Sequence, residues 1–307
     1  MADSARPVYD RHVTKARPWT GICGYVRGVE LNNEDDDKLT PRTVLGRRLR
    51  RLRENAGLAQ RALADKVGYP HTYISRVERG EQLPSETLAE DLDTYFGTDG
   101  LIVELLTLAQ DATIPDYGRD VVGNEDTAAR IQVFGSSLIP GLLQTEDFAR
   151  ALFRESLPGE SEEQIEERVV TRMRRKRVFD KTESPFYWAI MDEAALRRPV
   201  GGARCMAGQL RHIATAAESP RVAIQVLPFA QGEHPLLGGS LSLLTFRNGA
   251  TIGYVESFSS GQPVESPGRI LQLTQRFDMG RAKALPEGDS LDLVRRCLRE
   301  YEHEVDS

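Results

Sequence analysis

The chain has 307 residues, 40% of them hydrophobic, and carries 40 Lys plus Arg against 46 Asp plus Glu for a formal charge of -6. That length accommodates about two domains of ordinary size. Its three scattered cysteines, Cys23, Cys205 and Cys297, exclude a disulfide framework or a CxxC metal knuckle and fit a reducing cytoplasm, while the lack of an apolar run of about 18 residues or of a leader-like apolar stretch argues against membrane spanning and secretion.

Residues 1–40 are polar, hold Pro7, Pro18 and the run Glu34-Asp35-Asp36-Asp37, and show no sustained periodicity, which predicts a flexible N-terminal arm. Residues 41–113 read differently. Helical spacing runs from 44 to 109, broken at Gly57, Gly68, Gly80 and Gly97, and predicts an all-α domain of five short helices. Within it, Leu63 and Val67 lie four apart and face a core, Ala64 is small enough for a second helix to cross closely, and Gly68 stops the helix. After Gly68-Tyr69-Pro70, the next helix turns Ile74 and Val77 inward and leaves His71, Thr72, Ser75, Arg76 and Arg79 on one outward face. All five are hydrogen-bond donors. An exposed helix with short donors near its start and arginines further along can enter a major groove, reading base edges and gripping phosphate. Gln60, at the start of the preceding helix, adds its amide to the same surface, and Arg61 is counted with it among the DNA-binding candidates.

Charge follows the same division. Residues 42–79 hold ten basic side chains and three acids, whereas residues 80–113 hold eight acids and no base. Phosphate binding is driven by counterion release and needs local rather than total positive charge, so an acidic chain can still present a DNA-facing half. The plainer reading of "RRLRRLR" is an exposed helix solvated by its arginines.

The stretch "LAQRALADKVGYPHTYISRVERG" resembles the helix-turn-helix of the phage Cro/C1 repressor class, often called Xre-type, and "PSETLAEDLDTYFG" resembles its fourth helix. The resemblance implies that Gln60 clamps the DNA backbone and that His71, Thr72, Ser75 and Arg76 carry base and phosphate contacts. Two positions depart from the pattern. Ala59 stands where the family places a Ser or Thr N-cap, and Pro70 stands where the recognition helix is usually capped; a lost cap costs about 1 kcal/mol.

A break at Ile114-Pro115-Asp116-Tyr117-Gly118 leads into residues 118–303, where strands alternate with helices. Strands are expected at 131–134, 186–191, 222–227, 240–246 and 251–256, and helices at 144–156, 161–179, 202–217, 269–279 and 290–302. Arg247-Asn248-Gly249 joins the last two strands, and Asn-Gly between β-rich runs is a strong hairpin signal. The alternation predicts an α/β domain with a mixed sheet. "LIPGLLQTEDFARAL", "RMRRKRVF", "MDEAALRRPVGG", "VLPFAQGEHPLLGGSLSLLTF" and "GYVES" resemble the C-terminal domain of a large group of actinobacterial Xre-type regulators, described as antitoxin-like and often paired with a small neighbouring protein.

Catalytic and metal readings meet the same residues. "GDSL" at 288–291 matches a hydrolase tetrapeptide with Ser290 as nucleophile and His303 as base, but it leads into an amphipathic helix for which Asp289 or Ser290 serves as N-cap. "GGSLS" at 238–242 lacks the second glycine of G-x-S-x-G. The histidines, at 12, 71, 212, 234 and 303, form no HExxH or i,i+4 pair, so no metal or cofactor is expected. His234 beside Glu233 can line a pocket, although a loop histidine in water is the plainer reading. In the 161–179 helix, glutamates at the start and arginines at the end complement the helix dipole, with a second DNA or partner contact through "RMRRKR" as the functional alternative. Asp192 and Glu193 follow a strand end, where α/β ligand sites cluster, and equally suit the first turn of a helix.

Together these features predict a cytoplasmic, non-enzymatic transcriptional regulator that binds double-stranded DNA as a homodimer through its N-terminal domain. Its C-terminal domain would answer a small partner protein or a small-molecule effector. The rival reading is an antitoxin-like interaction protein that binds DNA only to regulate its own synthesis.

Overall fold

The structure, a computed structural model, describes residues 39–114, 116–257 and 260–307. The expected N-terminal arm lies outside the described residues except for Leu39 and Thr40, and Cys23 and His12 lie outside them as well. Thr40 is no part of an arm: it caps the first helix, α1 (Pro41–Asn55), its side chain accepting from the Thr43 amide while Thr43 reaches back to the Thr40 amide. Pro41, with its preset φ and no N–H to satisfy, opens the helix behind that cap.

Four more helices complete the N-terminal bundle: α2 (Gln60–Val67), α3 (His71–Arg79), α4 (Glu86–Phe96) and α5 (Leu101–Asp111). Ala59 and Pro70 precede α2 and α3 without any side-chain cap bond, while Gly68 at φ 77° and Gly80 at φ 71° end them in the left-handed region that suits glycine. Apolar residues at helical spacing meet in one core of Leu45, Leu49, Leu63, Ile74, Val77, Leu88, Leu92, Ile102 and Leu106. The tightest crossing is at Gly46, where an added Cβ would sit 2.5 Å from the Val77 carbonyl oxygen and 2.7 Å from that of Glu78. Ala64, at 1% exposure, provides the small contact expected of it.

The expected break at 114–118 is shorter than the sequence indicated. A sixth helix, α6 (Asp116–Glu125), already begins at Asp116 and leads into the α/β half. There the strands β1 (Ala128–Gly135), β2 (Phe186–Asp192), β3 (Val222–Leu227), β4 (Ser240–Phe246), β5 (Thr251–Glu256) and β6 (Gly261–Val264) form one sheet in the order β3-β2-β1-β4-β5-β6. β1, β2 and β3 run parallel, and β4, β5 and β6 add antiparallel pairs, giving the mixed sheet. The β4–β5 hairpin closes at Asn248-Gly249 as predicted, with Phe246 N–H bonding the Ala250 carbonyl at 2.8 Å. β6, not foreseen, is a short edge strand containing Pro263, which is tolerated at an edge because its missing N–H faces no partner.

Helices α7 (Glu146–Ser156), α8 (Glu162–Arg174), α9 (Glu193–Arg197), α10 (Gly202–Ala216), α11 (Pro267–Lys283) and α12 (Glu287–Asp306) flank the sheet. Alternating side chains divide it into two faces. Tyr187, Ala189 and Met191 face the core that includes Met206, Leu210 and Val294, while Phe134, Ile190 and Leu243 face Leu273 and Phe277 of α11. The 161–179 helix is in fact α8 followed by a 3-10 turn over Arg175–Phe179.

The "GDSL" serine serves the sheet. Pro286, not Asp289 or Ser290, precedes α12, and Ser290 lies fully buried within it. Its hydroxyl accepts from Val226 N–H at 3.0 Å and donates to the Leu285 carbonyl at 3.1 Å, while Leu285 N–H bonds the Val226 carbonyl at 2.9 Å. These bonds satisfy backbone groups on β3, the edge opposite β6, that would otherwise be orphaned. His303 stands about 20 Å further along the same helix, so the two residues cannot form a catalytic pair.

Replacing Gly46 with Ala should force α1 away from α3 and lower the stability of the chain by about 1 to 3 kcal/mol, the usual range for overpacking. Urea denaturation followed by circular dichroism reads this, and an unchanged midpoint would refute the tight crossing.

Candidate nucleic-acid interface

The outward face of α3 carries His71, Thr72, Arg76 and Arg79 exposed and Ser75 half-buried. No hydrogen bond to the His71 or Thr72 side chain occurs among the described residues. Arg79 is already engaged: it holds Glu81 by two bonds of 2.5 and 2.7 Å and also donates to the Ser75 hydroxyl. The Glu81 bonds push its guanidinium further above the usual arginine range, so it stays charged. Arg61 is exposed on α2, and Arg47, Arg48 and Arg51 are exposed on α1 with no carboxylate partner among the described residues.

What orients this face is a buried polar network that the sequence reading missed. Arg53 and Glu78, at 8% and 6% exposure, form a two-pronged pair with Nε–Oε1 at 2.5 Å and Nη2–Oε2 at 3.0 Å. Arg53 Nη1 also donates to the Leu58 carbonyl at 2.7 Å, and Gln60 Nε2 donates to Glu78 Oε2 at 2.7 Å. The end of α1, the start of α2 and the last turn of α3 are thereby joined. Gln60 offers its amide N–H to Glu78, so its proposed DNA contact is left to the rest of its half-buried side chain. A signal was present: Arg53 continues the four-residue spacing of Leu45 and Leu49, which places it on the buried side of α1.

The "RMRRKR" run is not a free basic patch. Arg174 pairs with Asp111 at 2.6 Å and with Gln110 on α5, Arg177 with Glu86 on α4 at 2.6 Å, and Arg175 with Glu125 on α6 through bonds of 2.9 and 2.6 Å. Arg172 donates to Gln144 at 2.6 Å over the ring of Phe153; burial and then the charge of Arg175 push it down to about 9, and it remains charged at neutral pH. Lys176 Nζ lies 3.0 Å from His212 Nε2. The run is therefore a seam between the helical bundle and the α/β half, and a second DNA contact through it has no unengaged cation to use. At the other end of α8, which opens with a Ser161–Gln164 capping box, Glu167 pairs with Arg42 and accepts from Leu83 N–H at 2.8 Å. Burial raises the Glu167 carboxyl above its ordinary value, against the opposing pull of the Leu83 amide and Arg42. Glu163 approaches Arg76 of α3 at 3.9 Å.

Two further candidates resolve in favour of structure. His234 is buried rather than hydrated: Nδ1 accepts from Leu236 N–H at 3.3 Å, Nε2 lies 3.4 Å from Asp192 Oδ2, and the ring meets Phe134 edge to face. Asp192 caps α9 through the Ala194 amide, and Glu193 accepts from Phe229 N–H at 2.9 Å while pairing with Arg197. Among the described residues no cluster of three metal-ligating side chains occurs, and no helix is long and apolar enough to cross a membrane.

A two-helix reading unit locked into a helical bundle and joined to an α/β domain defines a protein with a helix-turn-helix DNA-binding domain. Comparison with known families agrees: residues 44–106 match a helix-turn-helix domain, and residues 118–296 match a domain of unknown function, DUF5753. The second match spans more than half of the chain, which belongs to the DUF5753 family. No curated protein and no solved structure matches it.

Removing one partner of a buried ion pair leaves the other charge uncompensated, which typically costs about 3 to 5 kcal/mol. Arg53→Ala should destabilise the chain by that order, and Arg53→Met combined with Glu78→Leu should recover most of the loss in the same denaturation assay. Equal stability of Arg53→Ala and the parent chain would show that the pair does not organise the bundle.

Proposed function

We propose that the protein is a sequence-specific transcriptional regulator of Cro/C1 type that acts in the cytoplasm. In this reading residues 41–113 bind double-stranded DNA, and residues 118–303 hold a homodimer together and respond to a partner protein or effector. The observation that carries it is the exposed face of α3, with His71, Thr72 and Arg76, together with Arg61 on α2 and Arg47, Arg48 and Arg51 on α1, which are exposed and have no carboxylate partner among the described residues. Short donors that read base edges and flexible cations that grip phosphate are what major-groove docking requires. Ser75 and Arg79 support the same face from its second turn, where the bonds between Arg79, Ser75 and Glu81 must rearrange if both are to touch DNA. The likeness to actinobacterial Xre-type regulators supports the same assignment.

Arg76→Ala should weaken binding to a cognate duplex by about 1 to 3 kcal/mol without altering the melting temperature of the protein. Affinity should also fall steeply as salt is raised. Fluorescence anisotropy with a duplex selected by the chain from a random pool measures both, and unchanged affinity in Arg76→Ala would contradict the docking of α3.

Two reading helices about 34 Å apart on successive turns of DNA give such regulators their affinity. Light scattering of the full chain should therefore return a dimer at micromolar concentration, and a monomer both with and without DNA would contradict that assembly.

A further inference from the structure

Arg172 near the end of α8 and Arg175 in the turn that follows bring their guanidinium groups together against the loop after β1. A Cβ added to Gly141 would lie 3.1 Å from Arg172 Nη1 and 3.2 Å from Arg175 Nη1, so both nitrogens border the same point. Like charges this close repel: burial, and then the charge of Arg175, hold Arg172 below the usual arginine range. Their compensation is unequal. Arg175 is held by Glu125 through two bonds, whereas Arg172 has only the neutral Gln144 oxygen at 2.6 Å and the ring of Phe153. No carboxylate lies within 4.0 Å of Arg172 among the described residues. Glu256 of β5 makes no ion pair with either arginine, and burial raises its carboxyl above the ordinary value against their pull. A second group beside the pair also lacks a partner. The Tyr187 hydroxyl on β2 is fully buried and makes no hydrogen bond. Burial, and then the charge of Glu125, push it above the usual tyrosine range while Arg175 pulls the other way, so both charges lie near it. An unbonded buried hydroxyl is costly, and a buried cation without a counter-charge is costlier.

We infer that this cluster binds the carboxylate of a small organic acid, with Arg172 and Arg175 at its oxygens and the Tyr187 hydroxyl as a further donor. Both unsatisfied groups donate, so both call for an acceptor, and the charge of Arg172 calls for a negative one. One uncompensated cation suits a monoanion, because the second charge of a phosphate would meet Glu125 and Glu256. A carboxylate also offers two oxygens in the plane of a guanidinium fork. Arg174 and Arg177, from the same short segment, hold α5 and α4, so the ligand sits where the two halves of the protein are joined. This names a ligand class for the effector response proposed above and rests on that reading only for its consequence at DNA.

Isothermal titration of the full chain with sodium acetate, at neutral pH and constant ionic strength in chloride, tests the site. Saturable binding at one site per chain is expected, weakened at least tenfold in Arg172→Met and in Tyr187→Phe. Inorganic phosphate should bind at least tenfold more weakly than acetate. Tyr187→Phe removes only an oxygen that bonds nothing in the ligand-free chain, so without acetate its melting temperature should match that of the parent, and it keeps the test decisive if Arg172→Met unfolds. No saturable binding at tens of millimolar acetate, undiminished binding in Tyr187→Phe, or phosphate bound as tightly as acetate would overturn the inference. So would a lowered melting temperature of Tyr187→Phe without acetate, which would mean that the hydroxyl serves the fold through a buried water. The titration contains no DNA, so its failure counts against the carboxylate site alone. A chain that binds acetate as expected but no duplex supports the site and counts against the role given to α3.

Discussion

The paired carboxylate oxygens of Glu78 set the geometry on which the exposed face of α3 depends. They receive two bonds from Arg53 on α1 and one from Gln60 on α2, so that a single side chain of α3 is tied to both neighbouring helices. Desolvating an ion pair is expensive, and a pair of this kind need not stabilise the bundle more than well-packed apolar residues of the same volume. Its distinctive property is directional. Apolar contacts between Ile74, Val77 and the core allow α3 to rotate and slide, whereas a forked guanidinium–carboxylate contact allows neither. The crossing at Gly46 acts in the same sense, because α1 rests against the carbonyls of Val77 and Glu78. With its inner side fixed, α3 presents His71, Thr72 and Arg76 at a defined angle.

The α/β half is joined to that bundle through α8, whose two ends do different work. Its C-terminal end and the following turn send Arg174 and Arg177 to acidic side chains on α5 and α4. Its acidic end holds Arg42 at the start of α1 and the backbone of Leu83 just after α3. The strongly acidic stretch after α3 thus finds part of its compensation in the arginines of the second domain. The Arg42–Glu167 and Arg174–Asp111 pairs are partly buried and screened less by salt than exposed pairs such as Arg177–Glu86, so those two contacts of the seam should persist under conditions that dissociate a protein–DNA complex. The overall negative charge of the chain and a local positive face on the bundle are therefore compatible.

How much of this was legible in the sequence depended on whether the signal was local. The five bundle helices could be read because glycines mark their ends, and five of the six strands because alternation and Asn-Gly mark theirs. β6 escaped because Gly261 and Pro263 read as a loop and only pairing with β5 makes them a strand. α6 escaped because Pro115, Gly118 and Gly123 interrupt the helical pattern. The outward face of α3 followed from periodicity alone, but the partners of Gln60, Arg53 and Glu78 are set by how three helices meet. Ser290 and His234 were misjudged for the same reason. Each is buried by an element distant in sequence: Ser290 by the sheet edge at Val226, and His234 by Asp192 and Phe134.

In the function proposed above, α3, held by Glu78, is the surface that meets DNA. Amide hydrogen exchange of the full chain, with and without a duplex selected by the chain from a random pool, tests it most directly. Slowed exchange should concentrate at residues 60–79, strongest at the first turn of α3, with the sheet little changed. Slowed exchange in the α/β half with the amides of α3 unaffected would contradict it.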